Sequence, residues 1–108
     1  MLEANIRQMR TADDLRSRII EITGLKHVYL EPPSRLQYPC VLIQLNSKSL
    51  NRADNVNNYF THNRYQLMVI SEEDTDVIVD ELLGLPYCSY DRSYVVDNLN
   101  HTNLTIYF

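Results

Sequence analysis

Cys88, Asp97 and His101 place a thiol, a carboxylate and an imidazole in one C-terminal stretch, the three types from which a nucleophile, an orienting acid and a base are built. Such a trio works only when the side chains hydrogen-bond to one another beside an oxyanion site. The sequence offers no nucleophile elbow and no Gly-rich oxyanion loop. Its only glycines are Gly24 and Gly84, so close backbone approach to a substrate is hard to arrange. No catalytic residue is expected, and the chain reads as a non-enzyme. Asp76 and Asp80, one helical turn apart, invite a metal reading, but divalent sites want oxygens converging from several elements and no Gly-punctuated calcium loop is present. The plainer reading is a solvated helix face with acids near its N-terminus. His27 reads as a strand residue and His62 as a loop residue. No phosphate loop or dinucleotide fingerprint occurs, so no cofactor and no metal is expected.

Composition narrows the classes further. The 108 residues, 44% hydrophobic, suit one core, so a single domain over 1–108 is expected. Net charge is −4 with a pI near 5.2, and the Lys and Arg are scattered, which argues against a grip on phosphates. No apolar run approaches the ~20 residues of a membrane helix, and Glu3, Asn5 and Arg7 interrupt any secretion signal. The chain therefore reads as soluble and made in a cytoplasm. Cys40 and Cys88 match no zinc spacing and read as free thiols, although a disulfide between them is not ruled out by sequence. The bias is toward Tyr and Asn, with eight Tyr and no Trp. Tyr is common in partner contacts and equally ordinary in strands. A nucleic-acid-binding sheet that stacks bases on Tyr would need basic neighbours, and only Arg52, Arg64 and Arg92 are near.

The elements that must position these residues follow from periodicity. Leu2, Ile6, Met9, Ala12, Leu15, Ile19 and Ile22 recur at steps of three and four, one face of an amphipathic helix running from Leu2 to Thr23. Thr11 with Asp14 resembles a capping box, so the helix starts or restarts near 11; Gly24 ends it. "KHVYLEPP" is a short strand that Pro32 and Pro33 stop. "YPCVLIQLNSKSL" is a second strand, and "YFTHNRYQLMVIS" lies opposite it. The Asn-rich stretch 46–63 between them is either a long loop or a pair of strand extensions projecting past the sheet. "SEEDTDVIVDELLG" is a helix capped by Ser71 or Asp74, with Val77, Ile78, Glu81 and Leu82 at helical steps and Gly84 at its end. Cys88 to Val96 is one strand and Leu99 or Asn103 to Phe108 another, joined by the Asp97-Asn98 turn or a bulge near it. The order α-β-β-β-α-β-β predicts an α+β fold: a mainly antiparallel sheet of four to five strands with two helices packed on one face.

"EPPSRLQYPCVLIQL", "ADNVNNY" with "RYQLMVI", and "LPYCSYDRSYVVDNLNHTNLTIYF" together resemble the neck proteins of tailed bacteriophages. The likeness is to tail terminator or tail completion proteins, often labelled minor capsid or minor tail proteins, and it spans Gly24 to Phe108. It implies a structural virion protein, assembled in the host cytoplasm, whose hexameric ring ends the tail tube. The ring would join the tube to the head-tail connector or stopper protein, and genomic DNA would pass through its lumen without specific binding. A head-completion or stopper protein, or a connector-adaptor protein, of the same neck is the alternative, with a small nucleic-acid-binding module further off. On this reading Arg52, Asp54, Asn55, Asn57 and Tyr59 of the Asn-rich arm, together with His101, are expected in subunit or tube contacts.

Overall fold

The computed structural model describes residues 11–50 and 61–108, with side chains described for 11–46 and 63–108. Helix α1 spans Ala12–Thr23. Thr11 stays extended and its Oγ1 accepts the Asp14 N–H at 3.2 Å, while Asp14 accepts the Thr11 N–H at 2.9 Å. This reciprocal capping box satisfies two donors that a helix start otherwise leaves unmet. The helix ends where Gly24 turns left-handed at φ 71° and its N–H reaches the Ile20 carbonyl at 2.8 Å, a conformation that costs glycine nothing. Leu15 and Ile19, one turn apart, are both fully buried, each burial stabilising by roughly 1.5–3 kcal/mol. The upstream apolar positions Leu2, Ile6 and Met9 lie outside the described residues.

Strands β1 (Val28–Tyr29), β2 (Cys40–Leu50), β3 (Thr61–Ser71), β4 (Cys88–Val96) and β5 (Leu99–Tyr107) form one sheet, and α2 (Asp76–Leu83) lies between β3 and β4 in sequence. The fold is α+β with two helices and five strands, but two expectations about the sheet need correction. The sheet is mixed rather than mainly antiparallel, because β1 runs parallel to β2, pairing Val28 with Val41 and Tyr29 with Leu42. A parallel pair needs a crossover. Residues 30–39 make it outside the sheet, and Pro32, Pro33 and Pro39 leave that stretch short of ladder donors. The strand order is also not sequential: it runs β1-β2-β3-β5-β4, so β5 and not β4 pairs with β3. Burial explains this. Thr102, Asn103, Leu104 and Ile106 of β5 are buried, whereas β4 is exposed along most of its length, so β5 takes the inner position and β4 the edge.

One core unites the layers. Val41 and Ile43 of β2, Tyr65, Leu67 and Val69 of β3, and Leu104 and Ile106 of β5 lie on one sheet face by alternation. They pack with Leu15 and Ile19 of α1 and with Val79 and Leu82 of α2. Tyr65 is 2% exposed, a core residue and not a half-wet strand tyrosine. The expected start of α2 shifts as well. Its N-cap position is Thr75, with no side-chain cap bond. Ser71 ends β3 and accepts the Glu73 N–H, while Asp74 accepts the Asp76 N–H at 2.9 Å. These are turn bonds one step ahead of the helix. Val77 falls on the outer side of α2 and is 71% exposed. Among the described residues no helix is long and apolar enough to cross a membrane.

Candidate functional site

The Asn-rich stretch resolves in favour of strand extensions wherever it is described. The β2–β3 ladder continues past a bulge between Leu45 and Ser47 through Lys48 with Asn63 and Ser49 with His62 to Leu50 with Thr61. Neither neighbouring strand follows it that far. β1 stops at Leu42, and the last pair between β3 and β5 is Arg64 with Tyr107, after which the Phe108 N–H reaches the Asn63 carbonyl at 2.9 Å. The final two β2–β3 pairs therefore form a two-stranded ribbon standing roughly 7 Å beyond the sheet at 3.4 Å per residue. Arg52, Asp54, Asn55, Asn57 and Tyr59, expected in contacts, lie outside the described residues.

His101 is described, on β5 opposite Tyr94 of β4. Its ring stacks on Tyr94 with centroids 5.0 Å apart and planes 12° off parallel, and Nδ1 lies 3.0 Å from the Leu99 carbonyl oxygen. The Arg92 guanidinium covers the Tyr94 ring at 5.0 Å, a cation–π contact. The Tyr94 ring is thus engaged by its own neighbours on the sheet. The trio of Cys88, Asp97 and His101 is not assembled. Cys88 pairs with Ile106, five residues along β5 from His101, and Asp97 sits in the turn between the strands. Burial, and to a lesser degree Asp91, pushes the Cys88 thiol up to about 11, the direction opposite to that of an activated thiolate. Cys40, buried, is likewise pushed to about 11 by desolvation, and both cysteines are free.

At the start of α2 a cleft of about 250 Å³ lies between Asp74 and Asp76 on one side and Ser93, Tyr94, Asn100 and Thr102 on the other. Its floor is a chain of hydroxyls. Tyr90 donates to Ser93 Oγ at 3.0 Å, Ser93 Oγ lies 2.9 Å from Thr102 Oγ1, and Thr102 Oγ1 lies 2.9 Å from Thr75 Oγ1. Thr75 and Thr102 are both buried, and the Thr75 hydroxyl relies on Thr102 while Thr102 also meets Ser93. Asn100 adds a bond from Nδ2 to the Glu73 carbonyl at 2.8 Å. The chain clasps the start of α2 to the β4–β5 hairpin. Nothing in the spacing of Thr75, Ser93 and Thr102 signals it, since the turn before α2 and two strands, β4 and β5, bring them together. The carboxyl of Asp76 is raised, first by the charge of Asp74, then by slight desolvation, a hydrogen bond to Asp74 and the charge of Asp80. The expected pair of Asp76 and Asp80 is thus secondary to Asp74 with Asp76. Among the described residues no three His, Cys, Asp or Glu side chains converge to hold a metal. On the sheet face away from the helices, Asn103 Oδ1 is buried with no hydrogen-bond partner among the described residues.

Neither a family model nor a curated protein sequence matches the chain.

Proposed function

We propose that the chain is a structural subunit of a tailed-phage neck, a tail terminator or completion protein that acts by geometry as a ring member. In this role it ends the tail tube and presents a surface to the head connector. The observation that carries the reading is the β2–β3 ribbon. A two-stranded ribbon is marginal in water unless something supports it, and this one continues beyond both of its neighbours in the sheet. Such a projection suits a lever that lies against a neighbouring subunit or the tube; Arg52, Asp54, Asn55, Asn57 and Tyr59 follow it in the sequence. The resemblance of "EPPSRLQYPCVLIQL" and the C-terminal strands to terminators supports the same conclusion, as does a net charge of −4, which keeps passing DNA from adhering to the ring. The stopper or connector-adaptor layer of the same neck would use the ribbon in the same way.

The test replaces Asn51 to Phe60 with an Asn-Gly turn, the pair that closes two-residue hairpins. Far-UV circular dichroism should match that of the parent chain, while electron microscopy should show tails of uncontrolled length or tails without heads. Normal tails and undiminished infectious particles would sink the reading.

A further inference from the structure

Acid is spread unevenly over the chain. Residues 65–91 hold seven of its 14 carboxylates, Glu72, Glu73, Asp74, Asp76, Asp80, Glu81 and Asp91, and no Lys, Arg or His. The first four crowd the turn into α2, where each is exposed, and the fold pins that turn to the β4–β5 hairpin. Thr75 bonds Thr102, Thr102 meets Ser93 of β4, and Asn100 holds the Glu73 carbonyl. Asp74 and Asp76 therefore face Ser93 and Val95 across the cleft of about 250 Å³. The charge of Asp74 raises the Asp76 carboxyl, as happens when two like charges meet with no cation between them. Among the described residues the one ion pair joins Arg18 to Glu21, so no cation answers this acid from within the chain.

The strand beside that acid is unpaired on its outer side. β4 ends the sheet order. Its turn to β5 has two central residues at positive φ, Asp97 at 55° and Asn98 at 63°, the geometry of a two-residue loop that closes on a hydrogen-bonded pair, here Val96 with Leu99. Alternation makes Tyr94 with His101 the next bonded pair, so the N–H and C=O groups of Ser93 and Val95 point out of the sheet. The bulge at Asp91 leaves the run from Arg92 to Val96 regular. Neither Lys nor Pro blunts that run, and its one cation, Arg92, lies over Tyr94 on the face away from the helices.

We propose that this edge takes up an extended basic segment of another protein as an added strand, with every second side chain a Lys or Arg aimed at Asp74 and Asp76. Main-chain bonds to Ser93 and Val95 supply the pairing, as when a peptide joins any open sheet edge. Side chains alternate along a strand, so every second residue of the segment lies on the helix side, beside Ser93 and Val95. Tyr90 and Val95, also on that side, are 52% and 65% exposed. They offer apolar surface to the methylene stem of a lysine whose ammonium reaches the carboxylates. The intervening residues are neutral, because Arg92 repels cations on the other face. A net charge of −4 favours a partner of opposite sign over a second copy of the chain. The contact stands apart from the neck reading and is tested without tails or particles.

The probe is a synthetic peptide, acetyl-Thr-Lys-Val-Lys-Val-Lys-Thr-amide, titrated into the isotope-labelled full chain and followed by NMR. The amide resonances of Ser93 and Val95 should move on binding, and added salt should weaken it. The same peptide with Glu in place of Lys should not bind, nor should the lysine peptide with its backbone N-methylated throughout, which keeps the charge and loses the strand donors. Asp74→Asn with Asp76→Asn removes two charges and should weaken binding roughly fivefold or more. Val95→Pro removes an outward donor and no internal bond, and should cost roughly fivefold as well. Circular dichroism identifies the folded variants, and the Asn pair carries the test if the proline variant is not folded. No shift at Ser93 or Val95 up to about 1 mM peptide overturns the inference, as do folded variants that bind like the parent. Equal binding of the N-methylated peptide marks adhesion by charge alone and overturns it, and binding of the Glu peptide does the same. Self-association that occupies the β4 amides without peptide overturns it too.

Discussion

Thr102→Val takes away the hydroxyl that lies 2.9 Å from both Thr75 Oγ1 and Ser93 Oγ while keeping the β-branched shape that the strand prefers. Thr102 is 2% exposed and Thr75 5%, so the Thr75 hydroxyl has little access to water. A hydrogen bond is worth about 1 kcal/mol net, and a buried group left unmet costs about 1–3 kcal/mol. Ser93 is exposed and keeps its bond from Tyr90, so its share is small. The loss should come to about 2–3 kcal/mol, a fall in Tm of roughly 10 °C for a domain of this size. Thermal and urea unfolding measure it. Thr75→Val alone should cost less, because Thr102 keeps its bond to Ser93. In the double variant both buried hydroxyls are gone and neither is stranded, so it should be more stable than the two single losses predict, by about 1 kcal/mol or more. Single losses that simply add, within ~0.5 kcal/mol, or a Thr102→Val loss below that figure, would refute the clasp.

Two further outcomes concern titration. With both thiols at about 11, the thiolate fraction at pH 8 is on the order of a hundredfold below that of an unperturbed thiol; an aromatic disulfide reagent should label the native chain slowly and the urea-unfolded chain at once, and rapid native labelling would contradict the burial argument. Asp74→Asn keeps the side-chain oxygen that accepts the Asp76 N–H but removes the largest cause of the raised Asp76 carboxyl, so the Asp76 titration followed by NMR should move to lower pH. The sign for stability follows: a carboxyl raised on folding adds stability below its unfolded value and loses it as pH rises through its folded value. Asp74→Asn should therefore flatten the pH dependence of stability across the carboxylate range, and an unmoved Asp76 titration would refute the pairing.

Much of the local structure was legible because its causes are local. Thr11 and Asp14 are three residues apart, which is all a capping box requires, and Gly24 could be placed as a left-handed cap from the end of the apolar repeat. Tyr65, Leu67 and Val69 announced a strand by alternation, as did the turn at Asp97-Asn98 by its side chains. What failed were statements about which long-range neighbour each segment would find. Asp74 and Ser71 looked like caps because both are good acceptors, yet β3 continues through Ser71, and the turn that uses Asp74 puts Thr75 at the helix start. Val77 sat at a helical step but faces outward, because in a helix of two turns the sheet fixes which stripe is covered. His101 drew attention as a base, and cross-strand register instead gave it Tyr94 as a stacking partner.

The sequence by itself determined the kinds of elements, their order along the chain and the helix start at Thr11. These follow from side-chain periods, caps and residue types within a few positions of one another. Only the tertiary structure decided that β1 pairs in parallel, that β5 displaces β4 from the sheet interior, that Thr75, Ser93 and Thr102 share one chain of hydroxyls, and that β2 and β3 stay paired beyond the sheet. Each of those depends on which distant surfaces can be buried together, and burial is a property of the whole packed chain rather than of any stretch of it.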